Sequence, residues 1–153
     1  MAIQTRSAPR RRAQPKKGSG GAASSPLAKI RALVQRQARS WELNDFDLGA
    51  VDWLPEGVLI SPGGQFSAEQ LRGEMANFHA GYTDLAVTIK NVFASASGRK
   101  VAVEWDWEVT RKSDGQRGNT HDAIIVDLRR GKILSWREYF DLSSSVEAPA
   151  HSQ

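Results

Sequence analysis

The chain contains no cysteine. This absence excludes disulfide bonds, thiolate nucleophiles, iron–sulfur clusters and zinc sites of the cysteine type. No apolar run approaches the roughly 20 residues that a membrane helix needs, and there is no secretory hydrophobic segment. No Gly-Lys-Ser/Thr phosphate loop and no nucleophile elbow occur. We therefore expect a cytoplasmic protein that binds no metal, no cofactor and no membrane.

Charge is distributed unevenly along the 153 residues, which hold 21 basic and 17 acidic side chains. Residues 1–26 contain six basic residues and no acid, so residues 27–153 carry a net charge of −2. A mildly acidic domain does not favour general nucleic-acid binding. The composition of residues 1–26 predicts a disordered basic tail, for which contact with an acidic partner and organelle import both stay open. A second, flexible tail is predicted over residues 143–153.

Residues 27–142 form the predicted domain, which begins with helices and continues with strands. Apolar residues recur at helical spacing over 27–41, and a shorter helix is predicted over 46–54. Ser67 and Gln70 form a capping box for a third helix that ends near residue 81. The period then changes to two, which predicts strands at 84–95, 99–112, 117–129 and 132–142, after a brief strand at 57–61. This order predicts an α+β fold with a curved, mostly antiparallel sheet packed on about three helices.

The turns between the long strands predict a register. Two-residue turns place Ile89 opposite Asp106, Asp106 opposite Ala123, and Ala123 opposite Glu138. The same face receives Val87, Glu104, His121, Trp136 and Phe140. We interpret this carboxylate face as an apolar core with a polar patch, which is typical of a ligand pocket. Trp105 and Trp107 then lie on the opposite face, where a second copy of the chain is expected to cover them.

Asp106 and Glu138 are the predicted catalytic pair. Their side chains converge across the small Ala123, and desolvation together with mutual repulsion separates their pKa values, so that one acts as acid and the other as base. His121 is a base or the partner that orients an acid. Two plainer interpretations stay open: the acids lie on a solvated face, and His121 is a structural residue.

The order of the elements and the final segment, RGKILSWREYFD, resemble the nuclear transport factor 2-like superfamily, with further similarity at residues 101–105. Within it the chain is most similar to the SnoaL-like group, which includes polyketide cyclases, ketosteroid isomerases and limonene epoxide hydrolases. The resemblance covers about residues 27–142. It implies a cone-shaped, cystatin-like α+β barrel with a pocket between sheet and helices, and frequently a dimer through the sheet.

The resemblance also assigns roles to individual positions. The water-activating carboxylate of limonene epoxide hydrolases falls on Asp106, and their second acid falls on Glu138. Their arginine falls on Glu104, and their pocket tyrosine and asparagine fall on Ile60 and Pro62. Two of these five positions match, so the pattern does not favour epoxide hydrolysis. The complete set of predicted substrate-binding residues is Trp41, Ile60, Tyr82, Ile89, Glu104, Ala123, Trp136 and Phe140.

Together these observations predict a protein that binds a small apolar or polycyclic ligand. Its chemistry is that of a cofactor-free isomerase, cyclase or hydrolase that acts on an oxygenated substrate through carboxylate acid–base catalysis. The alternative is a non-catalytic dimeric binding or assembly module whose basic tail contacts an acidic partner.

Overall fold

The computed structural model describes residues 25–141, and the two predicted tails lie outside this part apart from the first residues of the first helix. The three helices are α1 (Pro26–Leu43), α2 (Phe46–Ala50) and α3 (Leu71–Gly81). The six strands are β1 (Trp53–Ser61), β2 (Gly64–Ser67), β3 (Tyr82–Ala94), β4 (Lys100–Arg111), β5 (Arg117–Arg129) and β6 (Lys132–Tyr139). No helix within residues 25–141 is both long enough and apolar enough to cross a membrane.

One sheet contains all six strands, in the order β2-β1-β6-β5-β4-β3. Every neighbouring pair is antiparallel except β1 and β6, which run parallel. The sheet is curved and unclosed, and the helices pack on one of its faces. The predicted α+β class and the mostly antiparallel sheet are confirmed.

Local signals in the sequence explain where the helices begin and end. The Ser25 hydroxyl accepts a hydrogen bond from Ala28 N at 3.2 Å and caps α1, which Asn44 terminates in the left-handed conformation. The capping box is present, because Ser67 N donates to Gln70 Oε1 at 2.8 Å. The second helix is shorter than predicted, because residues 53 and 54 belong to β1. The short strand β2 was missed.

The predicted register is correct beside two of the three turns and is lost further along those strands. Between β4 and β5 it is shifted by two residues throughout, so Asp106 pairs with His121 and not with Ala123. Next to the β3–β4 turn Ala94 pairs with Val101, and next to the β5–β6 turn Arg129 pairs with Lys132, both as predicted. One extra residue then interrupts each ladder, Lys90 in β3 and Leu134 in β6. A one-residue bulge moves every later side chain to the opposite face. Beyond the bulges Ile89 pairs with Trp105, and Ile124 pairs with Glu138.

The prediction about which face is the core was therefore wrong. The face that carries Trp105 and Trp107, here called the inner face, packs against α1 and forms the core. The residues of this core cluster that are 4% exposed or less are Leu33, Val34 and Leu71 of the helices and Val101, Val103, Trp105, Ile124, Val126, Ile133 and Trp136 of the sheet. The bulges bring Val87 and Ile89 to the same side, where they pack against this core. The apolar residues of β3 and β6 thus join the tryptophans, and the carboxylates of β4 face outward.

The expected dimer contact through Trp105 and Trp107 is also corrected by this arrangement. Trp105 is 1% exposed within a single chain and packs inside the core cluster. The helices already cover the inner face, for which a second copy of the chain was predicted as the cover. The face left open is the one that carries Asp106, His121 and Ala123, which we call the outer face.

Candidate active site

Two carboxyl groups, those of Asp122 and Glu138, lie on the inner face of the sheet. Ile124 pairs with Glu138, and Asp122 is two residues before Ile124 on the same face. Asp122 and Glu138 are therefore diagonal neighbours on adjacent strands, a spacing at which long side chains reach each other. Asp122 is buried, whereas Glu138 keeps part of its surface.

Indole and backbone N–H groups hold these carboxyl groups in place. Trp105 Nε1 donates to Asp122 Oδ2 at 3.1 Å, and Tyr139 N donates to Asp122 Oδ1 at 3.2 Å. Trp136 Nε1 donates to Glu138 Oε1 at 2.8 Å. The donors sit on β4 and β6, on both sides of β5, so regular strand pairing fixes their positions. The two acids are thus oriented by neutral donors rather than by cations.

Desolvation dominates the electrostatics of the pair. It raises the pKa of Asp122 to about 6, against the opposing effect of the Trp105 hydrogen bond. Desolvation and repulsion by Asp122 raise the pKa of Glu138 to about 8, although the hydrogen bond from Trp136 opposes this. Because the charge of Asp122 disfavours ionisation of Glu138, the pair favours a state that holds one proton. The pair thus offers a base and an acid at the same pH, the arrangement that acid–base catalysis requires.

A continuous row of aromatic rings surrounds the acids. Trp105 contacts Trp136 at a centroid distance of 5.4 Å and Trp107 at 5.8 Å. Trp107 in turn contacts Trp41 at 5.6 Å and Phe78 at 5.7 Å. The row continues to Trp53 beside Trp136 and to Tyr82 beside Phe78. All five tryptophans of the chain take part in it, which makes the surroundings of the acids apolar and flat-walled.

A narrow cleft, partly open to solvent, lies between the three helices and β1. Its lining includes Trp41, Phe46, Trp53, Leu71 and Met75. Asp122 and Glu138 are not among the described residues that line it. Trp53 and Trp41 connect the cleft to the aromatic row, since they contact Trp136 and Trp107 respectively.

A polar network holds the floor of this cleft. Gln37 donates to Gly49 O at 2.9 Å and accepts a hydrogen bond from Trp53 Nε1 at 2.9 Å. A Cβ atom on Gly49 would lie 2.7 Å from Ser40 Oγ, so this close approach of α2 to α1 requires glycine. Buried Asp52 accepts two hydrogen bonds from Arg36, at 2.6 and 3.0 Å. These groups satisfy one another, which indicates a structural role.

Asp106 and His121 lie together on the outer face, away from Glu138. Asp106 accepts from His121 Nδ1 at 2.7 Å and contacts Lys90 Nζ at 2.8 Å. The hydrogen bonds from Lys90 and then His121 hold the pKa of Asp106 below its usual value. The His121 side chain is 79% exposed. The predicted convergence of Asp106 with Glu138 across Ala123 is therefore wrong, because the bulge at Leu134 separates the two acids onto opposite faces.

The predicted lining residues divide between the same two faces. Ile89 and Trp136 lie on the inner face, Tyr82 is buried beside Phe78, Trp41 lines the cleft, and Phe140 is half-buried after β6. Those on the outer face are Ile60, Glu104 and Ala123. Glu104 accepts a hydrogen bond from Asn91 there at 2.6 Å, and Ala123 is opposite Tyr139. The structure thus brings four of the eight to the side of the core and three to the outer face, and Phe140 follows the last paired residue of β6.

Sequence reasoning missed Asp122, Trp105 and Trp107 as inner-face residues. A signal for Asp122 was present, since it continues the alternation of Ile124, Val126 and Leu128 along β5. A single carboxylate in an otherwise apolar register marks either an error in the register or a functional group.

Comparisons with known proteins agree with this architecture. A protein from Catenulispora acidiphila with a ketosteroid isomerase-like fold, solved in complex with trimethylamine, superimposes with a TM-score of 0.68. It is 20% identical, and the match covers 79% of this chain and 96% of that one. A candidate SnoaL-like polyketide cyclase from Jannaschia sp. CCS1 has a TM-score of 0.69 and 19% identity, covering 87% of this chain and all of that one.

A third solved structure is AclR, a candidate hydroxylase from Streptomyces galilaeus. Its TM-score is 0.65 at 19% identity, with 78% of this chain and 93% of that chain covered. At such identities the likeness shows the fold alone. A search among curated proteins finds no match. In sequence, residues 34–136 match the SnoaL-like domain, and the chain therefore belongs to the SnoaL-like domain family.

Proposed function

We propose that the chain binds a small apolar, oxygenated ligand within the aromatic interior and that Asp122 and Glu138 act on it as base and acid. The observation that supports this most directly is the acid pair itself. Two adjacent carboxyl groups are kept in an apolar setting by neutral N–H donors, and desolvation raises the pKa values of both. Glu138 is retained from the sequence analysis, and Asp122 replaces Asp106.

The simplest reaction for such a pair is reversible enolisation of a ketone. The Asp122 carboxylate removes a proton from the carbon next to the carbonyl, and Glu138 donates its proton to the carbonyl oxygen. The product is a neutral enol, and the negative charge moves from Asp122 to Glu138. The reverse steps restore the ketone. An isomerase and a cyclase both begin with this proton removal, so it tests the common step of the proposed class.

Deuterium exchange into indanone, followed by proton NMR in deuterium oxide, tests the proposal. We expect the protein to accelerate exchange at the carbon next to the carbonyl. Asp122→Asn and Glu138→Gln should each lower the rate by about 100-fold or more, since each removes one proton-transfer group. Asp127→Asn is the matched control, because Asp127 lies on the outer face and should leave the rate unchanged.

Two results would contradict this assignment. Loss of exchange in Asp106→Asn, with Asp122→Asn fully active, would return the chemistry to the outer face. Binding of indanone without any acceleration would favour the alternative, a binding module whose basic tail contacts an acidic partner.

We also propose that two chains associate through the outer face rather than through the tryptophans. The middle of this face holds Ile60, Ala123, Ile125 and Tyr139, the last 58% exposed. Arg137 lies between Ile60 and Ile125 in the register and pairs with Asp127 at 2.6 Å, and Lys90 pairs with Asp106 at 2.8 Å. Exposed apolar side chains among paired charges are compatible with an interface.

The oligomeric state in sedimentation equilibrium tests this contact. Ala123→Glu places a charge beside Tyr139 on the outer face and should convert a dimer to a monomer. Ala76→Glu makes the same substitution at an exposed position of α3 and should leave the dimer intact. Equal behaviour of the two variants would refute the outer face as the contact.

A further inference from the structure

The indole N–H of Trp107 has an unusual position. Of the polar side-chain atoms buried in the described residues 25–141, Trp107 Nε1 is the one without a hydrogen-bond partner. Buried donors are normally satisfied, and leaving one unpaired is energetically unfavourable. Such an atom therefore indicates either an inefficiency of the fold or a group that is satisfied when something binds.

The neighbouring tryptophans show that the fold supplies an acceptor to other indole donors of the same aromatic row. Trp105 donates to Asp122, Trp136 donates to Glu138, and Trp53 donates to Gln37, at 2.8 to 3.1 Å. Trp107 belongs to the same aromatic row and comes directly after Trp105 along it. The exception therefore occurs beside the candidate active site and not in a remote part of the core.

The surroundings of Trp107 are suited to a flat, apolar ligand. Its ring makes edge contacts with Trp41 and Phe78, at interplanar angles of 62° and 81°. Trp41 is at the same time a wall of the cleft between the helices. Trp41 therefore links the two places, since one aromatic ring separates the cleft from Trp107.

We propose that Trp107 Nε1–H is a ligand-binding donor. It has no acceptor among the described residues and donates instead to an oxygen atom of the ligand. The inference rests on the proposed function, in which the acids engage one oxygen of the ligand. The ring of Trp107 contacts Trp105, which in turn contacts Trp136, and the indole N–H of Trp136 donates to Glu138. The oxygen at Trp107 is therefore a second one, at the other end of an elongated apolar framework. Trp107 then determines specificity for ligands that carry oxygen at both ends.

A matched pair of ketones tests the inference. The first is a hydrindacene diketone, with one carbonyl on each outer ring, and the second is the monoketone in which a methylene replaces the other carbonyl. In the wild-type protein the diketone should bind about tenfold more tightly, as expected for a buried donor that gains its missing acceptor. In Trp107→Phe, which removes the donor and keeps an aromatic ring, the two affinities should become equal. Trp53→Phe, which removes an already bonded indole N–H, should keep the preference.

The indole region of a proton–nitrogen NMR spectrum gives a second readout that requires no change in affinity. The Trp107 indole signal, assigned from its absence in Trp107→Phe or by through-space contacts to Phe78, should move to the hydrogen-bonded region when the diketone binds. A tenfold preference that persists in Trp107→Phe, or a diketone complex in which this signal does not move, overturns the inference. Failure of both ketones to bind the wild-type protein also overturns it.

These outcomes are independent of the exchange reaction. If indanone exchange is not accelerated but the Trp107 signal moves, the proposed chemistry fails and the binding donor stands. If exchange depends on Asp122 and Glu138 but the signal is unmoved, the inference fails and the proposed function stands.

Discussion

The inner and outer faces of the central strands hold carboxyl groups in opposite settings. On the inner face, Asp122 and Glu138 accept hydrogen bonds from indoles and backbone, and desolvation raises their pKa values. On the outer face, hydrogen bonds from Lys90 to Asp106, and from Lys100 and Arg137 to Asp127, lower the pKa values of these aspartates. The difference shows that the face, more than the residue type, decides whether the pKa of an acid is raised by desolvation or lowered by cationic partners.

Adjacent isoleucines on β5 offer the largest expected contrast between the faces. Ile124 is completely buried, whereas Ile125 lies on the outer face and is half-buried. Ile124→Ala should lower the free energy of unfolding by about 3 kcal/mol, because it removes apolar contacts and leaves a cavity. Ile125→Ala should cost about 1 kcal/mol or less. Urea unfolding at dilutions that prevent association measures both, and equal losses would mean that the face assignment is wrong.

The second largest expected contrast between the two faces is in the pH dependence of the free energy of unfolding. The folded-state pKa of Glu138 is raised to about 8, so the unfolded chain releases this proton first and wild-type stability falls as pH rises from about 4 to about 8. Glu138→Gln removes this loss. We therefore compare the free energy of unfolding of the variant with that of the wild type, using urea at two pH values. Between pH 5 and pH 9 the difference should shift in favour of the variant by a few kcal/mol. A difference that is the same at both pH values would contradict the desolvated placement of Glu138.

An outer-face acid should show the reverse dependence. The pKa of Asp127 is lowered by Lys100, Arg137 and Ser135, so its contribution is present above about pH 4 and is lost as pH falls below that value. Asp127→Asn should cost about 1 kcal/mol at pH 7, as for a largely surface network, and less at pH 2. Thermal unfolding at the two pH values is the measurement, and a cost that grows toward pH 2 would be the contrary result.

The smallest expected effects are on the titration of single carboxyl groups. Trp105→Phe removes a donor that lowers the pKa of Asp122, so this pKa should rise further above its usual value. Lys90→Met removes the strongest partner of Asp106, so the pKa of Asp106 should return toward its usual value from below. Carbon NMR of the carboxyl groups follows both titrations. A fall in the pKa of Asp122 after Trp105→Phe, or a fall in the pKa of Asp106 after Lys90→Met, would contradict this description of the two faces.

The sequence predicted the elements well and the faces of the strands poorly. Helical spacing, the capping box at Ser67 and the glycines in the turns between the long strands are local signals, and the elements that they predict are present. These glycines, Gly98, Gly115 and Gly131, have positive φ. The register beside Ala94 and Arg129 was also local, because a turn determines its nearest pairs. The bulges at Lys90 and Leu134 leave no comparable signal, since each residue is compatible with a regular strand. Tertiary packing decides that the apolar residues of β3 and β6 share a face with the tryptophans.

The candidate site could be predicted only in part for the same reason. Glu138 was identified correctly as an interior acid, but its predicted partner Asp106 depended on the register at Leu134. Asp122 followed the apolar alternation of its strand, and only its charge argued against the interior. An unsatisfied indole such as that of Trp107 is a property of three-dimensional packing and has no sequence signature.

The parallel pairing of β1 with β6 has a consequence for biosynthesis. β1 leaves the ribosome long before β6, and α3 together with three long strands is made in between. Until β6 follows, Trp53 and Leu59 lack the neighbouring strand that carries Ile133 and Trp136. The early part of the nascent chain therefore cannot complete its core until the last strand is made. A product that stops before Lys132 exposes apolar surface that chaperones and proteases recognise.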